Sequence, residues 1–308
     1  MKEIKRVSLI GLGAMGTKYA EKLYPALERG DFLCIASKNR KDKIDKGMYI
    51  NGVRHNFIVV TPQDEVPPAD LVMIATKAYH LPQAAIDIKN HVGPNTIIFS
   101  LINGIESEEL FAKMYGPEHI VYAKSAGLGA TRIGNKITYN GMGYIMFGEL
   151  KNEVWSDRVK AIAALLKKVG ITYDVPVDME REIWWKYMVN VGCNQVSAIV
   201  GADYHAYHTV PQVFELTENV MREVVQIANH KGIDLNEDDI LRWHNKVLKY
   251  DPEDKTSLLQ DIENGKKTEV DTYAGKVIQL GRELGIPTPL NECIYLQLKA
   301  MEQIRGAK

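Results

Sequence analysis

One ten-residue segment decides the fold of this chain: Val7-Ser8-Leu9-Ile10-Gly11-Leu12-Gly13-Ala14-Met15-Gly16. A short, mostly apolar run, Val7 to Ile10, that ends at a glycine is typical of a buried parallel strand. The glycines that follow are spaced G-x-G-x-x-G, and the residues after them favour a helix. A strand, a glycine-rich turn and a helix in this order predict a Rossmann-type site for the pyrophosphate of a dinucleotide.

The three glycines of this turn each suit a different requirement of the site. Gly11 allows a tight turn, Gly13 lets the backbone approach the phosphates, and Gly16 lets the helix pack on the sheet. Backbone N–H groups at the start of the helix would face the anion. A glycine motif that merely joins a strand to a helix is the alternative. The predicted cofactor-binding residues of this glycine turn are Gly11, Leu12, Gly13, Ala14, Met15 and Gly16.

Short apolar runs alternate with helical stretches through the first half of the chain, which is typical of a parallel sheet covered by helices. The predicted strands cover residues 7–10, 32–36, 71–75, 96–101, 120–124, 137–139, 144–147 and 171–175, with a helix at 156–169 before the last of them. We therefore expect a Rossmann-type NADP-binding domain over residues 1–176.

Residues after Pro176 have the pattern of helices instead. The predicted helices cover residues 179–200, 211–231, 237–250, 256–264, 269–284 and 290–305. Thr209 and Pro211 favour a helix start, and Gly232 and Gly285 favour helix ends. The fold class is thus α/β, with an all-helical domain for substrate binding and catalysis over residues 177–308. Apolar helix faces in this half favour a homodimer through it.

The charge balance excludes some partners. Lys and Arg number 38 against 39 Asp and Glu, for a net charge of -1, and no basic run is long enough to bind a phosphate backbone. No apolar stretch could span a bilayer, and residues 1–6 lack the apolar core of a signal peptide. We expect a cytoplasmic protein that binds neither nucleic acid nor membrane.

The cysteine and histidine positions predict no metal site. Cys34, Cys193 and Cys293 lie far apart in apolar surroundings, and none belongs to a motif with metal-ligand spacing. His205 and His208 could share a helical face, but no third ligand is near them in the sequence. Buried thiols and ordinary polar histidines are the simpler interpretation.

The residues after the second strand bear on which dinucleotide binds. Enzymes that use NAD commonly have an Asp or Glu there to accept a hydrogen bond from the ribose 2′-OH. Residues 37–40 read SKNR and contain no acid. The hydroxyl of Ser37 and the cations of Lys38 and Arg40 suit a 2′-phosphate, so NADP is the predicted cofactor. A solvated basic loop is the alternative, because the basic residues continue to position 43.

A polar row marks the first predicted helix of the second half. Lys186, Asn190 and Asn194 recur at intervals of four and so would lie along one side of that helix. Asn is a poor helix former, and an ordinary solvated face would carry Glu, Lys or Gln. The row indicates a lined pocket, although hydrogen bonds to a neighbouring helix would explain it equally well.

These motifs together resemble the ketopantoate reductase (2-dehydropantoate 2-reductase) family across nearly the whole chain. The matches are the glycine turn, Lys77 and Tyr79 after a buried strand, the pair Asn103-Gly104, the W-x-K-x-x-x-N-x-x-x-N helix from Trp184 to Asn194, the S-x-L-Q-D segment at 257–261, and TEVD at 268–271. The resemblance implies NADPH-dependent reduction of 2-dehydropantoate, a small 2-oxo acid, to (R)-pantoate for pantothenate and coenzyme A synthesis.

The resemblance also implies roles for single residues. Lys186 would be the general acid and Glu269 a carboxylate that binds and orients the substrate. The residues that would contact substrate or nicotinamide are Asn103, Asn190, Asn194 and Ser257. Lys77 would lie at the cleft and, like Asn103, contact the cofactor. Ordinary alternatives are a surface lysine for Lys77, a first-turn carboxylate for Glu269 and a helix cap for Ser257.

Three positions depart from the family pattern. Ser37 stands where the family commonly has Arg. Lys38 or Arg40 would then have to bind the 2′-phosphate, and use of NADH remains an alternative. Gln195 replaces a frequent Pro after Asn194, and Asp254 replaces a frequent Asn. Related 2-oxo acid reductases and opine-forming dehydrogenases are therefore alternative functions. A hydroxyacid dehydrogenase fits less well, because residues 179–185 contain no glycine. A non-catalytic dinucleotide sensor would give no reason for Lys186 and Glu269.

Overall fold

The structure is a computed structural model that describes residues 3–127 and 129–306. Met1 and Lys2, which belong to the segment considered above as a signal peptide, lie outside the described residues. The chain divides into two compact units between Met179 and Glu180, whereas the sequence pattern placed this boundary after residue 176. A sheet with covering helices forms the first unit and helices form the second, so the predicted fold class is confirmed.

Two sheets organise the first unit. The strands are β1 (Val7–Ile10), β2 (Phe32–Ile35), β3 (Met48–Ile50), β4 (Val53–His55), β5 (Val59–Val60), β6 (Leu71–Ile74), β7 (Ile97–Ser100), β8 (Ile120–Ala126), β9 (Thr131–Ile133), β10 (Lys136–Thr138), β11 (Tyr144–Gly148) and β12 (Tyr173–Asp174). The larger sheet has eight strands in the order β12-β11-β8-β7-β6-β1-β2-β5. Its six strands from β8 to β5 are parallel, and β11 pairs antiparallel with β8.

Helices cover both faces of the larger sheet. The helices of this unit are α1 (Ala14–Ala26), α2 (Lys38–Ile44), α3 (Leu81–Asp87), α4 (Ser107–Tyr115) and α5 (Asp157–Lys168). Successive side chains of a strand point to opposite faces. Val7 and Leu9 accordingly join one buried cluster and Ile10 joins the other, which explains why β1 is buried along its whole length.

The smaller sheet was missed by the sequence pattern. It has the order β4-β3-β10-β9, so the strand predicted at 137–139 pairs here and not in the larger sheet. Its strands have three residues each, and Val53 and Ile133 are 61% and 77% exposed. Three residues are too few for an apolar alternation to be recognised, although Ile50 and Ile137 are buried.

The second unit is helical. Its helices are α6 (Met179–Val189), α7 (Gln195–Val200), α8 (Tyr204–Thr209), α9 (Pro211–His230), α10 (Glu237–Val247), α11 (Ser257–Glu263), α12 (Lys276–Leu284) and α13 (Pro289–Ile304), of which α8 was not predicted. Nowhere in 3–127 or 129–306 is a helix both long enough and apolar enough to cross a membrane.

Two segments of π-helix interrupt helices that the sequence pattern predicted as continuous. The first π turn (Asn190–Asn194) separates α6 from α7, and the second π turn (Asp271–Gly275) precedes α12. A π turn admits one extra residue per turn and is common at functional sites. The apolar pattern does not reveal it, because one extra residue barely changes the period over a short helix.

Some helix caps also differ from expectation. Val210, and not Thr209, precedes Pro211 at the start of α9, while the Thr209 hydroxyl donates to the His205 carbonyl at 3.1 Å. The hydroxyl of Thr256 accepts from the Leu259 N–H at 3.3 Å, so Ser257 is not the cap of α11.

Candidate functional site

The glycine turn connects β1 to α1, and two of its positions have no room for a side chain. Gly11 has φ +102°, and a Cβ there would lie 2.5 Å from the Ala75 carbonyl carbon. A Cβ on Gly16 would lie 2.0 Å from the Gly11 carbonyl oxygen. Both distances are far below van der Waals contact, so the packing of the turn on the end of β6 requires both glycines.

Gly13 faces open space instead. No atom lies within 4 Å of the position that its Cβ would occupy, while its N–H donates to the Gly11 carbonyl at 2.7 Å. The buried hydroxyl of Thr76 has no hydrogen-bond partner in the described part of the chain, and the Thr76 N–H borders Gly11. Open backbone beside an unused polar group fits the pyrophosphate of a dinucleotide.

Lys77 and Asn103 lie at the same edge of the sheet as the glycine turn. Ile10 pairs in register with Ile74, and Ile74 with Ser100, so the three parallel strands end side by side. Lys77 and Asn103 follow the second and third of these strands, and both are half-buried. Ligands bind outside the carboxyl ends of such strands.

The basic segment after β2 begins a helix, not the loop that the sequence suggested. Ser37 precedes α2, and its carbonyl accepts the N–H groups of Arg40 and Lys41. The Lys41 ammonium donates a hydrogen bond to the Val59 carbonyl at 2.5 Å. Lys38 and Arg40 are exposed, and within residues 3–127 and 129–306 neither has an ion-pair partner. These two cations could receive a phosphate.

Arg132 is a further cation that sequence reasoning missed. It projects from β9, and its guanidinium donates to the Leu12 carbonyl in the glycine turn and to the Gly134 carbonyl at 2.8 Å. Burial lowers the pKa of Arg132, and the nearby positive charge of Arg40 lowers it further. An anion between the two would relieve this repulsion. No motif marks Arg132, which is 120 residues from Leu12 along the chain.

The predicted row of Lys186, Asn190 and Asn194 spans the end of α6 and the first π turn. The Asn194 amide donates to Asn190 Oδ1 at 3.3 Å, so the two amides lie together. Asn190 Nδ2 is buried and has no acceptor among the described residues. A buried donor left unpaired costs about 1–3 kcal/mol, which a ligand acceptor would recover.

Glu269 lies just before the second π turn. Its side chain is buried, and its carbonyl accepts the N–H groups of Thr272 and Tyr273 at 3.0 and 3.1 Å. Burial raises the pKa of the Tyr273 hydroxyl well above its usual value, the Glu269 charge raises it further, and the Asn194 side chain opposes the change. Glu269, just before the second π turn, and Asn194, at the end of the first, therefore both influence the buried Tyr273 hydroxyl, which has no hydrogen-bond partner among the described residues.

Helix α13 anchors the residues on either side of Glu269. Glu302 accepts from the Thr268 N–H at 2.7 Å and from its hydroxyl at 2.6 Å. Asp271 accepts from the Tyr295 hydroxyl at 3.0 Å and lies 3.3 Å from Lys299 Nζ. The backbone around Glu269 is thus fixed from both sides.

Ser257 is the first residue of α11 and is exposed. Helix α11 packs against α7 and the first π turn, but no hydrogen bond between Ser257 and the predicted row is observed. Its contact with substrate stays a prediction. Across the described ranges, no three His, Cys, Asp or Glu side chains are grouped in a way that could hold a metal ion.

Comparison with known families assigns the chain. Residues 7–152 match the family model described as ketopantoate reductase PanE/ApbA, and residues 178–302 match its C-terminal counterpart. The chain belongs to the ketopantoate reductase family. The resemblance inferred from the motifs is thereby confirmed, and the chain is a member of an oxidoreductase family.

Individual relatives extend over the same length. The chain is 26% identical over 305 residues to a 2-dehydropantoate 2-reductase of Archaeoglobus fulgidus, covering 97% of this chain and 98% of the relative. It is 26% identical over 307 residues to one of Pyrococcus horikoshii, covering 98% and 99%.

Solved structures have the same fold. A D-mandelate dehydrogenase with NADH and anilino(oxo)acetate superposes with a TM-score of 0.88 at 22% identity, covering 98% of this chain and 100% of that chain. A dimeric ketopantoate reductase from Staphylococcus aureus superposes with a TM-score of 0.81 at 20% identity, also covering 98% and 100%.

Proposed function

We propose that this member of the family reduces 2-dehydropantoate to (R)-pantoate with NADPH. The observation that carries the proposal is the row of Lys186, Asn190 and Asn194, in which Asn190 keeps a buried donor unused. A dinucleotide sensor without turnover would give no reason for a lysine in this row. The names of the curated relatives support the substrate.

The proposed chemistry adds a hydride and a proton to the C2 carbonyl group. NADPH, when bound, supplies the hydride to the carbonyl carbon. Lys186 donates a hydrogen bond to the carbonyl oxygen, stabilises the negative charge that grows there, and then transfers its proton to the alkoxide. The products are the 2-hydroxy acid, the oxidised cofactor and a neutral lysine that regains a proton from solvent.

The neighbouring groups suit the two ends of such a substrate. Asn190 Nδ2 can donate to the carboxylate of a 2-oxo acid, and this contact would satisfy the unpaired donor. Glu269 carries no donor when ionised and suits the hydroxyl group of 2-dehydropantoate. We assign Asn190 to the carboxylate and Glu269 to the hydroxyl, with Asn194 holding Asn190 in place.

The cofactor preference for NADPH rests on charge. Arg132 contacts the glycine turn, Arg40 lies near Arg132, and Lys38 is on the same helix as Arg40. None of the three has an acidic partner among the described residues, and Arg40 and Arg132 repel each other. A 2′-phosphate would neutralise this cluster, whereas the hydroxyl of NADH would leave it unchanged. We propose that Lys77 and Asn103 contact the nicotinamide end of the cofactor.

A second candidate function is the reduction of another 2-oxo acid with NADH. The structure of D-mandelate dehydrogenase with NADH favours it, since that fold superposes over nearly the whole chain. The departures at Ser37, Gln195 and Asp254 fall near the predicted cofactor and substrate residues and point in the same direction.

One assay separates these functions. The absorbance of NADPH is followed with purified protein and 2-dehydropantoate, and the measurement is repeated with benzoylformate and other 2-oxo acids, with NADH, and with added amino acids. The proposal expects the highest kcat/KM for 2-dehydropantoate with NADPH. Higher efficiency with benzoylformate or with NADH would favour the second candidate, a requirement for an amino acid would indicate an opine-forming enzyme, and NADPH binding without any turnover would indicate a sensor.

We further propose that the protein is a homodimer through the helical unit. Leu296 and Ile304 of α13 are 68% and 85% exposed, which is costly for two large apolar side chains on one helix. The dimeric ketopantoate reductase from Staphylococcus aureus supports a dimer, without indicating which surface forms it. Light scattering should give twice the chain mass for the wild type and the single mass for Leu296→Glu with Ile304→Glu; a monomeric wild type would contradict the proposal.

A further inference from the structure

A single buried side chain joins the two π turns of the helical unit. Gln195 is 0% exposed and follows the first π turn directly. Its Nε2 donates to the Val191 carbonyl of the first π turn at 2.8 Å, and its Oε1 accepts the Ala274 N–H of the second π turn at 3.0 Å. One amide therefore serves both turns, with its donor on one and its acceptor on the other.

The second π turn needs an acceptor of this kind. The Tyr273 N–H bonds to the carbonyl four residues back, at Glu269, whereas the Gly275 N–H bonds to the carbonyl five residues back, at Val270. The Ala274 N–H falls at this change of register, and it donates to Gln195 Oε1. Buried N–H groups require a partner, so the Gln195 side chain completes the hydrogen bonding of the π turn.

Further polar groups hold the Gln195 amide in one orientation. Its Nε2 also lies 3.3 Å from Asn291 Oδ1. The Asn291 amide donates to Glu223 at 2.7 Å, and the same carboxylate accepts the N–H groups of Leu290 and Asn291 at the start of α13. Because this chain of groups is buried and mutually paired, rotation of the Gln195 amide would break several hydrogen bonds at once.

We propose that Gln195 is a positioning residue that sets Asn190 and Asn194 in register with Glu269. Asn194 is its neighbour in the chain, and the carbonyl of Glu269 anchors the turn that Gln195 completes. Gln195 itself touches no reacting atom. The effect on substrate rests on the proposed function, whereas the effect on the π turns does not.

The test uses two variants and a control. Gln195→Met has a similar length and removes both hydrogen bonds, while Gln195→Glu keeps an acceptor for Ala274 and removes the donor for Val191. Ile240→Val serves as the control, because Ile240 is a buried apolar residue of α10, outside both π turns. For each protein the exchange rate of the Ala274 amide hydrogen, the NADPH Kd, and kcat and KM for 2-dehydropantoate are measured.

We expect Gln195→Met to speed exchange at Ala274 by about tenfold, as the loss of one hydrogen bond predicts. It should lower kcat/KM for the 2-oxo acid by about 100-fold, because small misplacements of reacting groups have effects of that size. Gln195→Glu should keep the protection of Ala274 and lose less of kcat/KM. The NADPH Kd should stay within about twofold in both, because the glycine turn lies in the other unit.

The outcomes separate positioning from mere burial. Protection of Ala274 at the wild-type level in Gln195→Met, or a kcat/KM equal to that of Ile240→Val, would overturn the inference. If Gln195→Met does not fold, kcat/KM of Gln195→Glu decides: it should be lowered, and a value equal to that of Ile240→Val would overturn the inference. If the wild type reduces no 2-oxo acid, the proposed function fails, and exchange at Ala274 alone decides whether Gln195 completes the π turn.

Discussion

The glycine turn and the pair of π turns are built in opposite ways. In the glycine turn the backbone itself forms the feature: a Cβ at Gly11 would collide with Ala75, whereas no atom lies within 4 Å of the position that a Gly13 Cβ would occupy. In the π turns the backbone is irregular and side chains hold it, above all Gln195 between Val191 and Ala274.

This difference predicts how each region responds to substitution. A site formed by backbone N–H groups fails when an atom is added and tolerates changes in the surrounding side chains. A site formed by side chains fails when a particular donor or charge is removed and tolerates small changes in volume nearby. The following substitutions test the contrast.

The largest effect is expected in the side-chain region. Lys186→Ala should lower kcat by about two to four orders of magnitude, the range that a general acid contributes, with little change in the NADPH Kd. Steady-state kinetics and calorimetry measure both quantities. Lys249→Ala, an exposed lysine of the same unit, is the control. A Lys186→Ala variant with nearly normal turnover would remove Lys186 from the chemistry.

In the backbone region, two neighbouring glycines should respond differently. Gly11→Ala places a Cβ 2.5 Å from backbone at positive φ, and should cost about 3 kcal/mol or more in the free energy of unfolding. Gly13→Ala meets no atom within 4 Å, so its stability should change by less than about 1 kcal/mol. Its NADPH Kd should nevertheless rise about tenfold, because the methyl group occupies the approach of the phosphate.

Denaturant unfolding and calorimetry on the two glycine variants provide the comparison. Equal stability losses for Gly11→Ala and Gly13→Ala would show that packing does not distinguish them. Unchanged NADPH binding in Gly13→Ala would place the pyrophosphate elsewhere.

The charged cluster near the glycine turn should affect the two cofactors differently. Lys38→Ala combined with Arg40→Ala should raise the NADPH KM by about 100-fold at most, since each charge-assisted hydrogen bond contributes about 1.5–3 kcal/mol and exposure reduces this. Arg132→Gln should raise the NADPH KM about tenfold, since one donor of the Arg132 guanidinium already bonds to the Leu12 carbonyl. The NADH KM should hardly change in either.

Lys43→Ala is the matched control for the charged cluster, because Lys43 is exposed on the same helix. Equal kcat/KM for NADPH and NADH in the unmodified protein would refute the 2′-phosphate assignment. Equal losses with both cofactors in Arg132→Gln would instead make Arg132 a support for the glycine turn.

The last effect concerns a buried side chain of the sheet, away from both turns. His91 is fully buried, its Nδ1 lies 2.7 Å from the Ser8 hydroxyl, and burial lowers its pKa to about 4, against an opposing effect of Asp64. A lowered folded-state pKa contributes stability above the unfolded value of about 6.5, and this stability is lost as the pH falls towards 4. The loss should be on the order of 2 kcal/mol at pH 5.

Unfolding measured between pH 4 and 7 checks this slope. His91→Gln should be less stable at pH 7 but should lack the part of the slope that His91 causes. An unchanged slope in the variant would assign the pH dependence to other groups.

Local pattern sufficed for much of the architecture. Several elements agree with the prediction within a few residues: the strands β1, β2, β6 and β7 and the helices α9, α10 and α13. Apolar runs and helix caps are patterns of neighbouring residues, so the sequence reveals them directly. Helical spacing predicts that Asn190 and Asn194 lie together, as they do, although the structure places them in a π turn that the spacing does not reveal.

The sequence by itself determined the division into a sheet half and a helical half, most strands of the larger sheet, the glycine turn and the residue types at the predicted site, since each depends on residues close together in the chain. Only the tertiary structure decided that Arg132 reaches Leu12, that Gln195 joins the two π turns, and that strand β10 pairs in a second sheet. These contacts join residues far apart in the chain, which have no spacing rule, and their hydrogen bonds form only after the core has brought the segments together.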